Sequence, residues 1–493
     1  MIQNRFREIA MDRDKLLGES KMFSLILKFS VPAIVGMLVN ALYNTVDRIY
    51  IGQKIGSLGI AGITVSFPIM LIIMAFGMLI GFGSTSLLSI RLGQKKREDA
   101  RTILGNAMVL LVVVGVLISV LGSIFLRPLL VVFGASPTIL PYAQSYLQVI
   151  LAGAVFQMVG FGMNNHIRAL GSPKTAMLTM FVGGLMNVIL DPIFIFVFEW
   201  GMQGAALATI LSQFGSMVWV LYFILRKKND LRPEKTHFRL HPQIARRLMI
   251  LGTPPFLMQL ASSALMVVLN HSLDFYGGDI AISAMGIALS VSNLIMMPVF
   301  GLNQGVQPII GYNYGARHFD RVRTAVRMGM TIATVFVLLG FAMSMLFPRQ
   351  LVMLFNRSET ELIDLGSKVI RIFMMMLPII GFQVIGSGFF QAVGKPRQAT
   401  IITLSRQVLV FIPLILILPR YFGLDGIIYA APVSDLAAAV ISGSWILYEM
   451  RRLERDGEKI PPVMQEIGAM PEAVGEALIA AGETTASDVP PVF

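Results

Sequence analysis

The chain has 493 residues, of which 55% are hydrophobic and 14% charged, with a formal net charge of +12 and no cysteine. A soluble domain carries about 25% charged residues, so the composition excludes an ordinary soluble globule and assigns most of the chain to lipid. The lack of cysteine excludes disulfides, thiolate metal centres and cysteine nucleophiles.

Residues 1–29 form a charged, amphipathic arm without the short apolar core and small-residue cleavage site of a signal peptide. Twelve apolar segments follow, near 30–51, 60–90, 105–126, 139–163, 172–198, 203–225, 247–271, 280–305, 325–347, 366–390, 400–418 and 425–448. A bilayer core needs about 20 apolar residues per helix, whereas barrel strands alternate over about ten. These runs are long and uninterrupted, so an all-α membrane protein is expected. The first six segments make an N-lobe (30–225) and the last six a C-lobe (247–450), joined by a basic linker (226–246). Residues 451–493 read as a flexible cytoplasmic tail.

Loop charge sets the orientation. With the N-terminus inside, 31 of the 40 Lys and Arg fall on the cytoplasmic side. That asymmetry predicts a multi-pass inner- or plasma-membrane protein with both termini and the linker cytoplasmic. It also accounts for the net charge without a nucleic-acid partner. The expected partners are the bilayer and a small organic molecule, and the chain is expected to act as a monomer.

A shift of about 222 residues superimposes landmarks. Pro32 falls on Pro254, Gly83 on Gly305, and Gly93-Gln94-Lys95 on Gly315-Ala316-Arg317. With one residue of slippage, Ala169-Leu170-Gly171 falls on Ala392-Val393-Gly394; without it, Gly201 falls on Gly423. Each half holds six spans, an even number, so the halves share orientation and relate by a pseudo-two-fold axis along the membrane normal.

Ionisable residues inside spans are functional candidates by default. In the N-terminal half these are Asp47 and Asp191. Counting rise per residue puts Asp47 about one turn, and Asp191 about two turns, below the outer helix ends. Thr209 lies at similar depth in the sixth segment, and Asn187 shares a helix face with Asp191. Oxygen ligands suit Na+, and a buried carboxylate suits a proton. The competing reading pairs Asp47 with Arg48 and makes Asp191 a cap on a broken helix. Pro192 is expected to free the carbonyl of Val188. In the C-terminal half, Arg406 and Asp435 read as a structural buried pair, while Asp274 and Asp279 read as solvated. Asn164 is a candidate either to line a substrate cavity or to cap the cytoplasmic end of the fourth segment, and Gln304 and Gln307 are candidates to line the cavity within a broken-helix or loop-forming run from Gly301 to Pro308. Met374-Met375-Met376 suits a deformable binding surface. No phosphate-binding loop occurs, so ATP hydrolysis is not expected.

Several of these motifs together resemble the multidrug and toxic compound extrusion (MATE) family, in particular its MepA-like, DinF-related branch. They are the proline-containing first helix with Asp47, Asn187-Val188-Ile189-Leu190-Asp191-Pro192, Arg168-Ala169-Leu170-Gly171, Gln391-Ala392-Val393-Gly394, and Gln307-Pro308 with Asn313-Tyr314-Gly315-Ala316. The resemblance spans about residues 20–450. It implies a V-shaped, twelve-helix, two-lobe fold. It also implies a non-enzymatic, cofactor-free antiporter that exports amphipathic, often cationic compounds in exchange for H+ or Na+. In that family an N-lobe cation site uses positions that here are Asp47, Asn187, Asp191 and Thr209. The alternative is a flippase for a lipid-linked sugar, which would share the fold but favour cationic residues in its cavity.

Overall fold

A computed structural model of the chain describes residues 14–226, 229–355 and 359–458. Among these, ten helices are long and apolar enough to cross a membrane, and two bent helix pairs bring the spans to twelve. In chain order the spans are α1 (Met22–Lys54), α2 (Ser57–Gly93), α3 (Arg97–Ile124), α4 (Leu140–Ala152 with Ala154–Ala169), α5 (Pro173–Val197) and α6 (Gly201–Leu225). The second six are α7 (Pro242–Gly278), α8 (Ile280–Gly315), α9 (Phe319–Leu346), α10 (Thr360–Phe373 with Leu377–Ala392), α11 (Pro396–Ile417) and α12 (Pro419–Arg455). The α4 pair bends by 56° and the α10 pair by 52°. Met374-Met375-Met376, expected to offer a soft binding surface, instead forms the break in α10, with Met374 buried. Pro378 begins the second half there and cannot donate back across the break.

The helices outrun the apolar segments at their watery ends. The first helix starts at Met22 rather than at residue 30, and α7 starts at Pro242 rather than 247. Hydropathy marks the lipid-crossing part of a helix, whereas backbone hydrogen bonding continues past it. The expected arm and linker boundaries therefore fall inside α1 and α7. The linker is structured as well: Asn106 of α3 donates to the carbonyls of His237 (3.2 Å) and Arg239 (3.1 Å). Lys227, Lys228, residues 1–13 and most of the tail (459–493) lie outside the described residues.

Both described chain ends lie at one end of the bundle, as an even number of spans requires. Arg321 Nη2 donates to the Ser20 carbonyl at 2.9 Å, and Arg323 pairs with Glu454 at 2.6 Å. Elsewhere the bundle presents side chains suited to lipid. On α3, Val112, Val113, Val116, Leu117 and Val120 stand exposed in one band, where water-facing polar groups would be expected in a soluble protein.

The sequence repeat is visible in the backbone. Left-handed φ values occur at Gly56 and Gly278, Lys95 and Arg317, Gly171 and Gly394, and Gly201 and Gly423. Each pair is related by the repeat. Lys95 and Arg317 hold this conformation without being glycine because each closes a helix C-terminus. Lys96 N–H reaches the Arg91 carbonyl at 3.0 Å, and His318 N–H reaches that of Asn313 at 2.9 Å.

The lobes meet through backbone contacts related by the same repeat. A Cβ on Gly93 would collide with the Tyr312 carbonyl oxygen, and a Cβ on Gly315 would collide with that of Ile90. Higher in the seam, Gly83 lies against Leu248 and Gly252, Gly305 against Ser30, and Gly301 against Ile34. Such reciprocity marks a two-fold interface. The run from Gly301 to Pro308, expected to break or loop, is continuous helix. Its glycines let α8 press onto α1. These contacts all lie in the half of the bundle that carries the termini, so the lobes are closed at that end.

Two measurements test this arrangement. Phe275→Cys, at the exposed end of α7, should react with an impermeant thiol reagent in intact cells, and Lys235→Cys only after permeabilisation. The reverse pattern would overturn the orientation read from loop charge. Gly252→Val places atoms where the Leu79 carbonyl oxygen already stands. Overpacking costs about 1–3 kcal/mol, so the closed seam should lose population roughly 5- to 150-fold. Labelling of Ser89→Cys, buried in the seam beside Gly311, should rise accordingly; unchanged labelling would mean the seam does not gate that end.

Candidate functional site

The N-lobe residues come together inside one lobe, toward the end opposite the termini. Gly36 and Gly184 let α1 and α5 approach closely: a Cβ on Gly184 would lie 2.9 Å from Val39 and 3.5 Å from Tyr43. That contact brings Asp47 of α1 beside Asp191 of α5, and both carboxylates are buried, at 8% and 0% exposure. The register in which Gly36 meets Met180, continued about three turns along both helices, brings Asp47 level with Asp191. Asn187 Nδ2 donates to Asp191 Oδ1 at 3.2 Å, the one-turn spacing expected on a shared helix face. Thr209 of α6 is buried and donates to the Ala205 carbonyl at 3.1 Å, which leaves its oxygen lone pairs to the site. Asn187 Oδ1 and Asp191 Oδ2, both buried, make no hydrogen bond to protein. The site thus gathers acceptor oxygens from three helices in a dry setting, a donor set suited to a proton or a hard monovalent cation.

Tyr146 completes the site and was not singled out from sequence. It lies on the first half of α4, 1% exposed, within hydrogen-bonding reach of Thr209 and in the field of both carboxylates. A tyrosine in an apolar run carries no sequence signal of this kind. Only the bend of α4 and the packing of α6 against it bring the hydroxyl to the acids.

The end of α5 departs from α-helix. After Pro192 the residues Ile193–Val197 form a π-helical turn. The proline removes one backbone donor, and the wider turn absorbs the mismatch. Beyond it, Glu199 pairs with Lys54 at 2.7 Å and joins the ends of α1 and α5 remote from the chain termini. The Lys54 hydrogen bond and charge hold the Glu199 carboxyl below the ordinary glutamate range. The pair is exposed and so adds little stability.

The other sequence candidates are scattered. Asn164 is buried at 2% exposure and donates to the Ala176 carbonyl at 2.8 Å, so it lines no open cavity in this closed-end state. Gln304 approaches Met37 Sδ at 3.5 Å, and Gln307 donates to Gln391 Oε1 at 3.1 Å. Both are half-buried and sit at the lobe seam. Arg406 Nε lies 2.6 Å from Asp435 Oδ1, and the Arg406 carbonyl accepts from Ser434 at 2.5 Å. A π-helical segment, Ser405–Phe411, carries this arginine. Asp274 is exposed, and the side chains of Asp279 and Arg48 lie outside the described residues.

Comparison with known proteins gives one consistent family. The MatE family model matches residues 32–193 and 254–417, one match in each lobe. The multidrug export protein MepA of Staphylococcus haemolyticus is 27% identical over 435 residues, covering 88% of this chain and 95% of its own. A solved structure described as the outward-facing conformation of a multidrug resistance MATE family transporter of the MOP superfamily superimposes with a TM-score of 0.84. It is 27% identical and covers 89% of this chain and 98% of its own. Another solved chain, described only as "protein A", is 36% identical with a TM-score of 0.83, covering 89% of this chain and 98% of its own.

The Arg406–Asp435 pair yields a stability prediction. Removing one partner of a buried pair costs about 3–5 kcal/mol. Arg406 is 33% exposed, and screening there reduces the loss to about 2 kcal/mol. Asp435→Asn should therefore lower the thermal midpoint of purified protein while gradient-driven transport per folded molecule stays near wild type. Loss of transport at unchanged stability would move the pair into the transport cycle.

Proposed function

The chain belongs to the MatE family, and on that premise we propose that it is a secondary active antiporter that exports small amphipathic, often cationic organic compounds in exchange for H+ or Na+. The observation that carries this reading is the N-lobe site, where Asp47, Asn187, Asp191, Thr209 and Tyr146 converge away from the lobe seam. Two carboxylates in mutual range in a low-dielectric interior cannot both remain charged cheaply. Taking up a proton, or sharing a Na+, relieves that repulsion. Neither event needs a cofactor.

One helix links this site to the seam. Asp47 lies on α1, and so do Ser30 and Ile34, which touch Gly305 and Gly301 of the other lobe. At 1.5 Å per residue the two regions are about 25 Å apart along the helix. Pro32 lies between the two seam residues and weakens the backbone ladder there. Cation occupancy changes how α1 packs on α5 at one end and so biases the seam at the other. Cargo must bind the two resulting states with different affinity for exchange to occur. A cargo surface rich in Met and Phe would favour amphipathic cations through apolar and cation–π contact. The relatives' names, multidrug export protein and multidrug resistance transporter, support the export of varied drug-like compounds.

Proteoliposomes under separately imposed pH and Na+ gradients test the reading. Asp47→Asn and Asp191→Asn keep side-chain shape and should abolish gradient-driven efflux at matched abundance. Asn187→Ala, Thr209→Ala and Tyr146→Phe should weaken the dependence on the coupling ion by roughly tenfold, the value of about one buried hydrogen bond. Normal efflux by the Asp47/Asp191 double variant would refute the site. Transport restricted to phosphorylated or strongly anionic cargo would instead favour a lipid-linked sugar flippase.

A further inference from the structure

The repeat aligns Gln307 with Thr85 on α8 and α2, and Gln391 with Arg168 on α10 and α4. In the C-lobe the pair is satisfied directly, Gln307 Nε2 donating to Gln391 Oε1 at 3.1 Å. In the N-lobe its counterpart is unsatisfied. Arg168 is 1% exposed, the largest fully buried side chain of the molecule among the described residues. Its Nη1 donates to Asn165 Oδ1 at 2.5 Å, but Nε and Nη2 make no hydrogen bond to protein. Thr85, 5% exposed, likewise has an unpartnered hydroxyl.

The register of the helices agrees with this pairing. A Cβ on Gly77 would be 3.8 Å from Met158 Cα, and one on Gly81 would be 2.7 Å from Gly162 Cα. The next turn in the same direction brings Thr85 level with His166, and the Arg168 side chain leans back toward the helix N-terminus to that level, where it meets Asn165. Among the described residues no carboxylate forms an ion pair with the guanidinium, whose one side-chain partner is the neutral Asn165.

A buried charge without a counter-charge costs several kcal/mol. An asparagine oxygen satisfies one donor but cancels no charge. We propose that Arg168, with Thr85 facing it, binds a monovalent inorganic anion of chloride size. The unpartnered Nε and Nη2 of the guanidinium and the Thr85 hydroxyl supply donors, and the positive charge supplies the selectivity for an anion over water. The site lies directly behind the seam, because Ser86, next to Thr85, donates across it to the Gln391 carbonyl at 2.5 Å. Anion occupancy therefore braces the turn of α2 that closes the lobes.

The test uses purified full-length protein and chloride or bromide as the probe. At constant ionic strength, thermal stability should rise saturably as chloride replaces gluconate, since a ligand bound only to the folded state stabilises it. Arg168→Gln should abolish that dependence, and Thr85→Val should raise the half-saturating chloride concentration roughly tenfold. Crystals grown in bromide should give an anomalous peak in contact with Arg168 Nε and Nη2. Equal stability of the wild type in chloride and gluconate would overturn the proposal. So would an unchanged chloride response in Arg168→Gln, or no bromide peak at this guanidinium. If Arg168→Gln does not fold, the bromide experiment on the unaltered chain still decides the matter.

Discussion

Backbone-to-backbone contact across the pseudo-two-fold axis is the constraint on which the architecture depends. In lipid there is little hydrophobic force between helices, because the acyl chains are as apolar as leucine. Close approach of small residues supplies the attraction instead. Gly83, Gly93, Gly252, Gly301, Gly305 and Gly315 allow it, and the repeat places them on facing helices. The result is a contact that is tight, yet made largely of weak dispersion terms. A few displaced atoms suffice to separate it, which suits an interface that has to open and close.

The two lobes share a scaffold but not a chemistry. Where the N-lobe has Asp47 and Thr209, the repeat places Leu269 and Ala431, both buried. The C-lobe instead keeps its buried acidic residues engaged, Asp435 with Arg406 and Glu449 with Lys395. The scaffold therefore does not need the N-lobe acids for packing, since its other copy forms with apolar residues at those places. Buried carboxylates that folding does not require are costly, and their presence argues for a role in binding.

Bends and irregular turns set where the polar groups meet. The bend in α4 carries Tyr146 toward the acids with its first half and Arg168 toward the seam with its second. The π-helical turn after Pro192 lets α5 end beneath the Lys54–Glu199 pair. Regular helices would present these side chains along a single face and could not serve two regions at once.

The sequence by itself determined the class of fold and much of the candidate set. Long apolar runs with sparse charge require spanning helices, because lipid offers the backbone no other hydrogen-bond partners. The offset of landmarks such as Gly83 with Gly305 was enough to establish two like-oriented halves. Rise per residue put Asp47, Asn187, Asp191 and Thr209 at a common depth, since depth along a helix is a one-dimensional quantity. Only the tertiary structure decided what depends on rotation and bending. It showed that Gly301–Pro308 is a packing surface within a continuous helix, and that the methionine triplet forms the break at which α10 bends. It also brought Tyr146 to the acids and left Arg168 without an ion pair among the described residues. Those facts rest on which side chains face one another across different helices, and a helix carries no local record of the neighbour it will meet.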